Sequence, residues 1–277
     1  MVLESQQLVN AQGEALTVDQ AISNLRQTAD PSLRYYAAWW LGRFRVRDGA
    51  AIAALVEALK DETDRAPDGG YPLRRNAARA LGKLGDRTVV PALMGCLSCP
   101  DYYVREAAIQ ALEMLGDDVC VPALRAMLAG GIEAATQVEG KPHLVQPYNA
   151  ILEALGSLGA RAAVEEVAPF LDHPVPQVQN AAARAMYQLT GDAAYCNRLV
   201  QVLQGPNLQL RRSAMMDLGA VGYLPAAGAI AATLAENSLK LIALQGVLEH
   251  HLQATDFPES SLSSEARQVM ALMDDLL

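Results

Sequence analysis

Residues 71–97 read YPLRRNAARALGKLGDRTVVPALMGCL, and this stretch decides the fold. Starting at Leu73, apolar side chains recur at i, i+4, i+7, i+8 and i+11, the spacing of one face of an amphipathic helix. Gly85 and Asp86 favour a turn, because glycine tolerates positive φ and aspartate accepts hydrogen bonds from turn amides. Pro91 favours the start of a second helix, where a missing N–H is tolerated. The stretch predicts a helix–turn–helix unit with one apolar face, which needs a neighbour to bury it.

The same pattern recurs along the chain. It aligns on Leu81, and the equivalent positions are Leu41, Leu112, Leu155, Met186, Leu218 and Val247. A period of about 31 residues, with small side chains between leucines, is typical of stacked helix pairs. We therefore predict an all-α fold, an α-solenoid of HEAT-like helix-pair repeats that forms a curved superhelix. Two longer intervals place insertions at 61–70 and 130–142, and their glycines and prolines predict loops.

The continuous repeat predicts a single domain over residues 1–277. Four segments are expected within it: a mobile stretch at 1–16, an N-terminal capping helix at 17–29, repeats at 30–254 and a C-terminal amphipathic helix at 265–277. The capping helix is predicted because Thr17 and Gln20 have the spacing of a capping box. The first residues are expected to be mobile because they show no period and lie at a terminus.

The composition limits the classes of partner. The net charge of −9 and the pI near 5.0 argue against a general surface for nucleic acid or anionic membranes. No stretch approaches the ~20 apolar residues of a membrane span. The N-terminus lacks the basic start and apolar core of a secretory signal. We therefore expect a cytoplasmic protein that binds neither nucleic acid nor membrane.

Motifs of common enzyme chemistry do not occur in the sequence. It has no Gly-rich phosphate loop, no nucleophile elbow and no helix-borne metal motif. Cys96 and Cys99 have metal-like local spacing, but nothing completes a site, so we interpret the cysteines as packing residues and predict no metal. One carboxylate and one guanidinium recur per repeat and predict a structural ladder between neighbours. They are Asp48, Asp86, Asp117 and Asp192, with Arg34, Arg74, Arg105 and Arg211.

Two predicted second helices carry no charged residue. They lie within 88–100 and 221–235. A solenoid helix normally shows a polar face to water, so one interpretation is an apolar surface for a partner or ligand. The other is tight packing of small residues against the neighbouring repeats. The sequence leaves both open.

The repeats also carry a family resemblance. LRYYAAWWLGRFRV, YPLRRNAARALGKLGD, YVREAAIQALEMLGD and LQLRRSAMMDLGAVGYLPAA resemble segments of the E subunits of heterodimeric E/F-type bilin lyases, in the phycobilisome lyase family. The resemblance covers nearly all of residues 17–254. It implies a cyanobacterial protein that pairs with an F-type HEAT-like subunit. The pair would attach phycocyanobilin to a cysteine of the phycocyanin α subunit through a thioether. The bilin is then a substrate, no cofactor is expected, and the resemblance identifies no catalytic residue.

One patch has the chemistry that such a ligand needs. The predicted outward column of the first helix in repeat 1 holds Tyr35, Trp39 and Arg43, and the same column one repeat later holds Arg75 and Arg79. An exposed indole beside guanidinium groups can stack on a tetrapyrrole and pair with its propionates. The plainer interpretation is a solvated cation–π face. We therefore treat these five residues as candidates for binding the bilin or a partner.

A second function class remains open at this stage. Solenoids mostly bind proteins, so the chain can also be interpreted as a non-catalytic scaffold or chaperone for phycobiliprotein assembly or degradation. Formation of a covalent bilin adduct distinguishes the two functions.

Overall fold

The computed structural model describes residues 16–254 and 262–277. Contacts between residues divide the chain into two compact units. Unit 1 comprises the described residues up to Leu124 together with Gln137–Pro147, and unit 2 comprises Arg125–Thr136 together with the described residues from Tyr148 onward. The single domain therefore stays a prediction. The stretch expected to be mobile lies outside the described residues except for Leu16.

Helices make up most of both units. Unit 1 contains α1 (Val18–Arg26), α2 (Pro31–Arg43), α3 (Gly49–Ala58), α4 (Pro72–Leu84), α5 (Val90–Gly95) and α6 (Tyr102–Leu115), and α7 follows at Val121–Ala126. Unit 2 contains α8 (Gly131–Ala134), α9 (Tyr148–Ser157), α10 (Val164–Val167), α11 (Pro176–Thr190), α12 (Ala193–Val202), α13 (Leu208–Ala220), α14 (Ala227–Ala232), α15 (Asn237–Ala254) and α16 (Ser264–Asp274). In the described residues, no helix combines the length and apolar character that a membrane span requires.

The first helices of successive repeats pack against one another in chain order. In unit 1, α2 packs on α4 and α4 on α6. In unit 2, α9 packs on α11, α11 on α13 and α13 on α15. The predicted alignment is confirmed, because the side chains at all its positions are buried: Leu41, Leu81, Leu112, Leu155, Met186, Leu218 and Val247. The fold is thus the all-α HEAT-like solenoid that the period predicts.

Small residues let these helices approach closely. A Cβ atom added to Gly82 in α4 would lie 2.7 Å from the Cα atom of Ala111 in α6, and one added to Gly42 would lie 2.8 Å from the Cα atom of Ala80. Real Cβ atoms do not approach backbone atoms so closely. The glycine that follows the aligned leucine is therefore required by packing between repeats.

The recurring aspartates cap helices and do not pair with the recurring arginines. Asp48 accepts a hydrogen bond from the amide of Ala51 and caps α3. Asp86, Asp117 and Asp192 cap the second helical segments of their repeats in the same way. Carboxylates satisfy helix N-terminal amides well because those amides lack intrahelical partners. The predicted Asp–Arg ladder is therefore wrong.

The recurring arginines bind carbonyl oxygens where second helices end. Arg34 donates to the Leu25 carbonyl, Arg74 to the Asp61 carbonyl and Arg211 to the carbonyls of Gly205 and Leu234. Helix C-termini leave carbonyls unpaired, and a guanidinium has five N–H donors to satisfy them. Each of these arginines thus joins its repeat to a neighbouring helix pair through backbone atoms. Some of these arginines also form an ion pair with an acidic side chain, as in the 2.9 Å contact between Arg34 and Asp61.

Both chain ends match their predicted elements where they are described. Thr17 and Gln20 form a complete capping box at the start of α1. The last helix, α16, begins one residue earlier and ends three residues earlier than predicted. Of the two insertions, the first contains no helix within 61–70, as expected, whereas the second contains the single helical turn α8.

Candidate functional site

The predicted patch begins with an exposed indole on α2. Trp39 is 42% exposed, so its predicted orientation toward solvent is confirmed. Its ring packs on Tyr36, with 5.7 Å between ring centroids. Arg43 lies on the same helix and is exposed. Tyr35 is half-buried, and burial together with a hydrogen bond to Asp64 raises the pKa of its phenol.

The two arginines of the patch face the following repeat. The sequence predicts that guanidinium groups of this patch contact the Trp39 ring. In the structure, the guanidinium carbon of Arg75 instead lies over the Tyr103 ring, 5.6 Å from its centroid. Burial raises the pKa of the half-buried Glu106 carboxyl, and the charges of Arg79 and Arg75 oppose that shift. Glu106 attracts both arginines toward α6. The binding roles of the five predicted residues stay a prediction.

A larger site lies beside this patch, within unit 1. It is an open cleft of about 680 Å³. Residues 65–71 of the first insertion form one wall, the start of α6 forms the base, and residues 138–145 form the other wall. Ligand clefts commonly measure ~300–1,000 Å³. None of the five predicted patch residues lines this cleft.

The first wall is held by Arg65 and Tyr71. Arg65 donates to the Gly69 carbonyl from Nε and Nη2, and to the Tyr71 hydroxyl from Nη1 at 2.7 Å. The Tyr71 amide donates to Asp101 Oδ2 at 2.6 Å, while Asp101 Oδ1 accepts from the Tyr103 amide at the start of α6. The capping carboxylate of α6 therefore also fixes the first insertion in place.

The second wall is held by Arg105. This side chain donates to the carbonyls of Cys99, Pro100 and Val145 and to Gln146 Oε1, at 2.7–3.1 Å. It is only 9% exposed, and burial lowers the pKa of its guanidinium. At the equivalent positions in other repeats, arginines join neighbouring helices. Here the arginine joins the insertion to the base of the cleft.

Aromatic rings line the base and the second wall. The rings of Tyr102 and His143 stack with centroids 4.2 Å apart and planes 14° apart. The Tyr103 ring meets the His143 ring edge-on at 5.8 Å. Burial is the main cause that raises the pKa of Tyr102 to about 12, so its hydroxyl remains a donor at neutral pH. His143 Nδ1 lies 2.9 Å from the Leu144 carbonyl, so Nδ1 carries the donated hydrogen.

The cleft is positive although the chain carries a net charge of −9. Within the described residues, the Lys141 ammonium makes no ion pair or hydrogen bond, and the side chain is exposed. Arg65 uses three of its five N–H donors on protein atoms, which leaves two for a ligand. Two carboxylates also line the cleft: Asp68, whose Oδ1 accepts from the Gly70 amide at 3.2 Å, and Asp101, which accepts from the amides of Tyr71 and Tyr103. The site can therefore bind a flat conjugated molecule that carries acidic groups.

The chain offers no activated nucleophile in its described part. Its cysteines are all buried and unpaired. Burial is the main cause that raises the pKa of Cys96 and Cys120 to about 11 and that of Cys196 to about 12. A thiol reacts as its thiolate, so these groups are unreactive near neutral pH. The described residues also contain no group of three or more His, Cys, Asp or Glu placed to hold a metal ion.

The two charge-free helices pack inward. Ile230 in α14 is fully buried, as are Val90 and Leu93 in α5. These three side chains therefore pack tightly against neighbouring repeats, whereas the two interpretations of the outward faces of these helices stay open. Leu234, just beyond α14, is exposed.

Part of the cleft is predictable from the sequence. Both insertions were located from the interrupted period, and each contains residues with ring, cationic or acidic side chains. Their meeting could not be read from the sequence, because a repeat alignment assigns no position to residues outside the repeat.

Comparisons with known proteins agree with the fold. The family described as HEAT repeats matches residues 63–135 and 146–234, and the family described as PBS lyase HEAT-like repeat matches residues 33–61. A phycocyanobilin lyase subunit alpha from Synechocystis sp. (strain PCC 6803) is 63% identical over 264 residues, which cover 95% of this chain and 97% of the relative. A bilin biosynthesis protein, RpcE, from Synechococcus sp. (strain WH8020) is 45% identical over 84% of this chain and 90% of its own length.

A solved structure is similar over the whole chain. It belongs to the complex of CpcE and CpcF of phycocyanin lyase from Nostoc sp. PCC7120. The matched chain has a TM-score of 0.88 and 58% identity, and the match covers 99% of this chain and 100% of that chain.

Proposed function

We propose, from the premise that this chain belongs to the family of phycocyanobilin lyase alpha subunits, that it is one half of a heterodimeric bilin lyase acting in the cytoplasm. The observation that carries the proposal is the match, over 99% of the chain, to a subunit solved in complex with its partner in a phycocyanin lyase. The second subunit is of F type. The substrates are phycocyanobilin and a cysteine of the phycocyanin α subunit.

The reaction is the addition of a thiol to a carbon–carbon double bond. The acceptor sulfur forms a bond to the ethylidene carbon of the bilin, and the thiol proton ends on the neighbouring ring carbon. Nothing leaves and nothing is oxidised, so the bilin is a substrate and no resident cofactor is required. The protein's task is to bring thiol and ethylidene group together, and such positioning can lower a barrier by at most ~7–11 kcal/mol.

The buried thiols of this chain support that division of labour. Raised pKa values keep the thiols of Cys96, Cys120 and Cys196 protonated near neutral pH, so the acceptor provides the nucleophile. Tyr35, Trp39, Arg43, Arg75 and Arg79 are proposed to contact the bilin or the partner subunit. Trp39, Arg43 and Arg79 are exposed and accessible, whereas Tyr35 and Arg75 are half-buried.

An omission experiment tests the proposal. The chain, an F-type subunit, the phycocyanin α subunit and phycocyanobilin are produced together in a heterologous host, and each protein is left out in turn. We expect a covalent adduct that survives denaturation only when all are present. An acceptor that becomes chromophorylated equally well without this chain would contradict the proposal. Stabilisation of the acceptor without any adduct would instead indicate the scaffold function.

A further inference from the structure

We propose that the cleft between the two insertions is the bilin-binding site of this chain, with the tetrapyrrole against Tyr102 and His143 and a propionate on Lys141 and Arg65. This inference rests on the proposed function and assigns the bilin to particular residues. The cleft lies wholly within unit 1.

The charges of the cleft suit the acidic groups of a bilin. Its two propionates are carboxylates at neutral pH and bind best to donors that are not already paired. Among the described residues, the Lys141 ammonium has no ion-pair or hydrogen-bond partner. Arg65 has two N–H groups that donate to no protein atom and can bind a carboxylate. Asp68 faces the same space and can accept hydrogen bonds from pyrrole N–H groups. Each of these side chains therefore complements a polar feature of the ligand.

The rings of the cleft suit its conjugated system. Tyr102 and His143 stack on each other and both line the cleft. Because Nδ1 of His143 is directed at the Leu144 carbonyl, its Nε2 is left to contact the ligand. Offset stacking between aromatic groups stabilises a complex beyond the effect of the area that it buries.

The walls are also held firmly enough to form a site. Asp101 fixes the first wall to α6 through two backbone amides, and Arg105 fixes the second wall through the Val145 carbonyl and Gln146 Oε1. A site with fixed walls loses less conformational entropy when the ligand binds.

The test measures the coupling between Lys141 and the propionates. The heterodimer is titrated with free phycocyanobilin and with its dimethyl ester, without acceptor, and affinity is read from the change in bilin absorbance. We expect Lys141→Glu to weaken binding of the free acid by about tenfold or more, the effect of one charge-assisted hydrogen bond. Binding of the ester should change by no more than about twofold, because the ester has no carboxylate with which the Lys141 ammonium could pair.

Lys60→Glu is the matched control. Lys60 is an exposed lysine on a separate cavity of about 410 Å³ in the same unit, so the charge change is identical. We expect wild-type affinity for both bilins. A larger loss in Lys60→Glu than in Lys141→Glu would overturn the assignment. The assignment would also be overturned if esterification of the bilin weakened its binding to wild type and to Lys141→Glu by the same factor. The same holds if esterification left binding to wild type unchanged.

A second pair of variants tests the ring platform. Tyr102→Leu should lower bilin affinity by about two- to tenfold, while Tyr102→Phe should keep it near wild type. Equal affinities in the two variants, with unchanged circular dichroism, would contradict stacking on this ring. A heterodimer that passes the omission experiment but shows none of these effects would remove the cleft assignment and leave the proposed function standing.

Discussion

Replacing Arg105 by alanine should loosen the second insertion and lower bilin affinity together. The side chain makes four hydrogen bonds, and two of their acceptors, the Val145 carbonyl and Gln146 Oε1, follow the second insertion. A hydrogen bond to a charged group contributes ~1.5–3 kcal/mol, and water replaces part of each lost bond. We therefore expect a loss of about 3–5 kcal/mol in the free energy of unfolding of the region that Arg105 joins.

Hydrogen exchange measured by mass spectrometry locates the effect. Peptides covering residues 137–147 should exchange faster in Arg105→Ala, and Arg105→Lys should lose most of the protection too, because an ammonium cannot reproduce the guanidinium fork. Arg211→Ala is the matched control, since Arg211 holds the equivalent position in unit 2 and donates only to Gly205 and Leu234. That variant should lose stability while keeping bilin affinity. Unchanged exchange at 137–147, or a stability loss below about 1 kcal/mol, would refute the role given to Arg105.

Three further predictions concern the patch, the stack and the thiols. Trp39→Ala and Arg79→Ala should each slow bilin transfer. Helicity should stay intact because both side chains are exposed. Wild-type transfer rates in both variants would show that these side chains contact neither the bilin nor the partner. Gly82→Ala should cost about 1–3 kcal/mol in thermal unfolding because its Cβ meets the α6 backbone, whereas Gly95→Ala, with open space around it, should be neutral or stabilising. Cys96, Cys120 and Cys196 should resist a thiol reagent at pH 8 in the native chain, since burial raises the pKa of their thiols to about 11–12; rapid labelling of these residues without denaturant would contradict this.

The repeat register was predictable from the sequence, whereas much of the polar network was not. Leu81 and its equivalents can be located because the apolar residues of a buried helix face recur with the helical period. The recurring aspartates and arginines were recognised, but their pairing was wrong. A short carboxylate reaches the nearest helix amides first, and a long guanidinium reaches carbonyls of the adjacent repeat. Spacing alone does not rank these competing partners.

The candidate site, too, could be predicted only in part from the sequence. Trp39 was correctly placed on the surface because it shares a helical column with charged residues of later repeats. The direction of Arg75 was not foreseen, because it depends on Tyr103 and Glu106 in the next repeat. The cleft itself depends on insertions that follow no period. Their contacts with α6 are set by Asp101 and Arg105, two residues whose repeat positions suggest only capping and packing.

The central claim is that this chain positions the bilin while the acceptor provides the nucleophile. Mass spectrometry of all three proteins tests it most directly, during a time course with purified heterodimer, phycocyanin α subunit and phycocyanobilin. We expect the acceptor to gain the mass of one intact bilin on a cysteine, while this chain keeps its unmodified mass at every time point. A bilin covalently bound to a peptide of this chain, appearing before the acceptor adduct and disappearing as that adduct forms, would contradict it.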